Sequence, residues 1–100
     1  MKISDSLEKT LIFFQEGCSP EEISSTRQLA LSTIYGHLAQ LVKYGLISAY
    51  DVISEKDVSL VRNAIEYVGD NQLSTIRNYL HNNVSYDIIK LALAQIHKES

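Results

Sequence analysis

The stretch GCSPEEISSTRQLALSTIYGHLAQLVKYG, residues 17–45, decides how the chain folds. Gly17 and Gly45 bracket it, and glycine ends a helix readily because it takes positive φ without a Cβ clash. Ser19, Pro20 and Glu22 have the spacing of a capping box with proline at the first helical position. A helix therefore starts at Pro20, and it ends near Arg27, where the apolar residues change phase. Gln28–Leu31 reads as a turn. Ser32 reads as the N-cap of a further helix that reaches about Tyr44, with Ile34, Leu38, Leu41 and Val42 on one side of it.

A short helix, a tight turn and a second capped helix make the helix-turn-helix layout. Thr33, Gly36, Gln40 and Lys43 face away from the apolar stripe, with Ala39 beside them. In such modules the start of the second helix meets nucleic acid. The candidate contacts are thus Arg27, Ser32, Thr33, Gly36, Gln40 and Lys43. Arg27 and Lys43 would hold phosphates, Ser32 and Thr33 would anchor the helix start, and Gln40 would reach a base. Gly36 costs about 1 kcal/mol against alanine inside a helix, which points to close approach by something.

Working outward, the rest of the chain is helical in pattern. Leu7, Leu11 and Phe14 trace a stripe over about 5–16. Residues 46–53 fit a short strand, a remnant of a wing or a tight helical turn. Ser54–Asp57 resembles a second N-terminal box, opening a helix to about Val68 before Gly69. A short helix covers about 72–80, and Ser85 caps a last one that is apolar almost all round. Such a helix is either central to the core or covered by something outside the chain. The expectation is an all-α fold of five to six helices, winged-helix-like without a clear wing. Residues 1–100 read as one domain, with a helix-turn-helix half at 5–45 and a three-helix half at 54–97. The order of long helix, short helix, turn and Ser-capped helix is a weak echo between the halves.

Composition narrows the function. The chain has 100 residues and a formal charge of −3, so it lacks the overall basicity of many nucleic-acid binders. Position matters more: no Asp or Glu lies between Ile23 and Tyr50, a window that holds Arg27, His37 and Lys43. Two fixed cations still imply weak, salt-dependent binding. The one cysteine, Cys18, excludes an internal disulfide and a Cys-rich metal site. His37, His81 and His97 have no metal-ligand spacing, and His37 reads as a packed, hydrogen-bonded side chain. The six tyrosines read as half-buried packing residues rather than stacking platforms. There is no phosphate-cradling Gly-rich loop, so no ATPase or other catalytic site is expected. No apolar run is long enough to span a bilayer, and the first residues lack a signal-peptide layout, so a cytoplasmic location is expected.

Glu21-Glu22-Ile23, Arg27, Leu29-Ala30-Leu31-Ser32-Thr33-Ile34 and His37-Leu38 resemble the helix-turn-helix domain at the C-terminus of bacterial RecQ-type ATP-dependent DNA helicases. The likeness continues through Leu46-Ile47, Ser54-Glu55, Ile65 and Gly69 to Ser85-Tyr86 and Ile88, over roughly residues 5–95. It departs at Ser24 and Gln28, where the family has Ala-like and Gly-like residues; Gln28 puts the turn geometry in question. The resemblance implies a non-catalytic accessory domain that binds DNA and lies in cis to a helicase motor, with ATP and Mg confined to that motor. Two rival readings are a module that docks on the motor or a repair partner, and a stand-alone transcriptional regulator. The regulator would need dimerisation, and no dimer helix is evident, so a monomer is expected. The nucleic-acid reading requires the outward side of residues 32–44 to be bare and free of negative potential.

Overall fold

The computed structural model describes residues 3–99 and contains six α-helices, one 3-10 turn and, among those residues, no strand. Helix α1 spans Asp5–Gln15, α2 Pro20–Arg27, α3 Leu31–Lys43, α4 Glu55–Val68, α5 Leu73–Tyr79 and α6 Tyr86–Glu99. The all-α expectation holds. Residues 46–53, left open between strand, wing and helical turn, form the 3-10 turn Ala49–Asp51, closed by a reciprocal Ser48–Asp51 capping box.

The helix starts follow local chemistry. Ser4 Oγ accepts the Leu7 N–H and opens α1. At α2, Ser19 Oγ accepts the Glu22 N–H at 3.1 Å, and Glu22 Oε1 accepts the Ser19 N–H at 2.8 Å. These bonds hold the Glu22 carboxyl below the ordinary carboxylate range, the backbone bond contributing most. Ser54 accepts from Asp57 N–H to open α4, and Ser85 Oγ accepts from Ile88 N–H at the start of α6.

The turn between α2 and α3 keeps its tight form despite Gln28. That residue adopts the left-handed conformation at φ 55°, ψ 44°, a position that favours glycine. Ser24 then closes the turn: its hydroxyl donates to the Leu29 carbonyl at 2.6 Å, and its own carbonyl accepts the Leu29 N–H at 3.1 Å. One expectation is corrected here. Ser32 is not the N-cap of α3, because the compact turn brings Leu31 into the helix and places Ala30 at the cap. Ala30 offers no side-chain bond to the first N–H groups, so the start of α3 is uncapped.

Helix α6 is the centre of the molecule. It packs against α3, α4, α5 and the 3-10 turn, and every residue from Leu91 to Ile96 is buried. Its Ile89 and Leu91 meet a core that includes Ile23, Ile34, Leu38, Leu41, Val58, Val61 and Ile76, all nearly or fully buried. Each such side chain contributes roughly 1.5–3 kcal/mol by leaving water. Gln95, a buried polar residue of α6, accepts the Ala49 N–H at 2.9 Å and so ties the 3-10 turn to the core. The apolar circumference of α6 is therefore used within the chain.

Helices α3 and α6 run side by side in the same direction. Gly36 and Lys90 line one groove with Lys43 and His97, and Gly45, just beyond α3, lies beside Lys98 near the end of α6. The same residues recur in both helices at a constant spacing of 55. Ile34, Leu38, Ala39, Gln40 and Lys43 correspond to Ile89, Leu93, Ala94, Gln95 and Lys98.

Candidate nucleic-acid interface

The six candidate residues do not all come together. On α3, Ser32, Thr33, Gln40 and Lys43 are exposed and Gly36 is half-buried, so they form an outward stripe along the helix. Ala39, beside them, is only 7% exposed because α6 packs on that side. The stripe is thus bare along its middle and shouldered by α6 on one flank.

Arg27 stands apart from the α3 stripe, on α2. Its guanidinium is engaged by α1: it donates to the Ser6 carbonyl at 2.9 Å, to Ser6 Oγ at 3.2 Å and to Thr10 Oγ1 at 2.6 Å. These bonds tie α2 to α1, because a guanidinium has donors only and finds the acceptors that the first helix presents. Arg27 thus holds α2 against α1 through three hydrogen bonds.

His37 behaves as expected. Thr10 is fully buried, and its Oγ1 lies 2.8 Å from His37 Nδ1. Thr10 Oγ1 also accepts from Arg27 at 2.6 Å, so one hydroxyl serves both side chains. Burial, and then the nearby Arg27 charge, push the His37 pKa below its ordinary value. Tyr35, on the α6 side of α3, is pushed up by burial and by the charges of Glu21 and Asp87.

Sequence reasoning missed a groove beside this stripe. Gly36, Ala39, Gln40 and Lys43 line a groove of about 320 Å³ whose far wall is Leu73 of α5 with Lys90, Leu93, Ala94 and His97 of α6. No carboxylate is among these lining residues. Asp87 lies 3.8 Å from Lys90, and Asp70 lies 2.8 Å from His97 Nε2, both at the margin. The 55-residue recurrence of Leu-Ala-Gln was the signal that could have paired α3 with α6. A methyl group built on Gly36 would meet nothing within 4 Å, so no neighbouring helix requires glycine there.

The tyrosines also depart from expectation. Tyr67 is 74% exposed and stacks on Tyr79, with ring centroids 5.6 Å apart and planes at 14°. Arg77 sits over the Tyr86 ring at 4.7 Å from its centroid. Tyr44, Tyr50 and Tyr86 are also exposed, leaving Tyr35 as the half-buried one. Among the described residues no group of three or more metal-type side chains converges, and no helix is long and apolar enough to cross a membrane.

An all-helical chain with a tight α2–α3 turn and an outward polar stripe on the second helix defines a helix-turn-helix protein. The chain belongs to that class at the level of sequence as well: a family model described as a helix-turn-helix domain matches residues 6–93. No curated protein and no solved structure matches it. Domains of this family suggest nucleic-acid binding and are typically non-catalytic.

Proposed function

We propose that the chain is an accessory domain that binds and positions DNA for a RecQ-like ATP-dependent DNA helicase, without catalysis of its own. The observation that carries the DNA part is the outward stripe Ser32, Thr33, Gly36, Gln40 and Lys43, set in a window without acidic residues. Ser32 and Thr33 anchor a phosphate at the uncapped helix start, Lys43 holds a second, and Gln40 reaches toward a base. The helicase part rests on the likeness of Leu29–Ile34, His37-Leu38 and Ser85-Tyr86 to the C-terminal domain of those enzymes. In this reading the chain is one cytoplasmic, monomeric unit working in cis to a motor, which alone takes ATP and Mg.

Fluorescence anisotropy with labelled DNA at rising salt tests it. Affinity is expected to be weak, to fall with salt, and to drop several-fold in Lys43→Glu. Binding that ignores both salt and Lys43→Glu would remove the DNA assignment. The exposed Tyr67–Tyr79 stack favours a second reading, a protein-docking module. That reading predicts salt-resistant capture of a helicase motor, lost in Tyr67→Ala and unchanged in Lys43→Glu.

A further inference from the structure

We infer that the nucleic acid this domain takes is a single strand, laid in the groove between α3 and α6, rather than a duplex read by α3 in its major groove. The inference rests on the DNA-binding reading above. Its first ground is steric. A B-form major groove is about 12 Å wide and admits one helix of about 10–12 Å. Packed helices have axes about 8–10 Å apart, so a side-by-side pair is roughly 20 Å across. Helix α6 lies along α3 and buries Ala39 on the flank of the outward stripe. Presented side by side to a duplex, such a pair would be too wide for the groove that a lone recognition helix enters.

The second ground is what the groove offers. Gly36 lines it, and a Cβ added there would meet nothing within 4 Å, so a helix-weakening glycine borders open space. Lys43, Lys90 and His97 are its three basic groups, and Leu73, Leu93 and Ala94 its apolar wall. The counterpart of Gln40 in α6, Gln95, is buried and bonded to Ala49 and Glu99. Gln40 itself is exposed; its carbonyl accepts the Tyr44 N–H within α3, while its side-chain amide has no hydrogen-bond partner among the described residues and is left for a base edge. A strand backbone tracked by Lys43 and Lys90, with a base against the apolar wall, uses every one of these features. With no Phe, Tyr or Trp in the groove, binding depends chiefly on the two lysines.

The test compares a labelled 20-mer of oligo-dT with a blunt 20-bp duplex by anisotropy over a series of salt concentrations, for the unaltered chain, Lys43→Glu, Lys90→Gln and Gly36→Leu. Thermal melts confirm that each variant is folded. Preference for oligo-dT, with a log–log salt slope of roughly −1.4 that shrinks by about 0.7 in Lys90→Gln, supports the inference. Gly36→Leu should weaken oligo-dT binding at least several-fold. Equal or tighter duplex binding that depends on Lys43 and ignores Lys90→Gln overturns the groove and leaves DNA binding standing. No binding of either DNA overturns both.

Discussion

Thr10 of α1 and His37 of α3 are joined by a 2.8 Å hydrogen bond at the back of the helix-turn-helix, and Arg27 of α2 donates to the same hydroxyl. One buried side-chain oxygen therefore serves all three helices of the N-terminal half. The charge of Arg27 is used inside this network, which is why the interface has fewer cations than the acid-free window suggests.

Thr10→Val keeps the shape of the side chain and removes both bonds. His37 Nδ1 and one Arg27 donor then lose a partner in a half-buried setting. The expected loss is about 1–3 kcal/mol, read as a lower urea midpoint with an unchanged m-value.

Acid should weaken the fold through His37. Its folded pKa is depressed below 6.5 by burial and by Arg27, so the unfolded chain binds the proton first as pH falls. This contribution is fully present above about pH 6.5 and is lost as pH falls from there through the lowered folded value. Urea midpoints at pH 7.5 and 5.5 should show the decline, and His37→Gln should flatten it. An equal decline in that variant would assign the effect to other groups.

Gln28→Gly should stabilise the chain by roughly 0.5–1 kcal/mol, since the native φ of 55° carries a Cβ penalty that glycine escapes. A raised melting temperature checks this, and a lowered one would mean that the Gln28 side chain has a role of its own.

Gly36→Ala should raise stability by about 1 kcal/mol, because the added methyl meets nothing and alanine is the better helix former. Stability and DNA affinity should be measured together. A stabler protein with weaker binding places the ligand against Gly36; a less stable one contradicts the open space there.

Much of this molecule was legible before any coordinates. Ser19, Pro20 and Glu22 announce α2 because a capping box is satisfied within four residues, and Gly17, Gly45 and Gly69 mark the stops for the same local reason. Ser32 misled because serine signals a helix start without saying which register the preceding turn adopts. That register depended on Ser24, whose hydroxyl reaches across the turn to Leu29. The 46–53 segment stayed ambiguous because its 3-10 turn is held from outside, by Gln95 from 46 residues away.

The sequence by itself determined the helices, the class of fold and the outward polar stripe, since periodicity, caps and glycine stops act within a few residues. The tertiary structure alone decided which surface remained for a ligand. It turned Arg27 onto α1 and brought Lys90 and His97 beside Lys43, because buried acceptors and the apolar girth of α6 draw together residues that no local pattern relates.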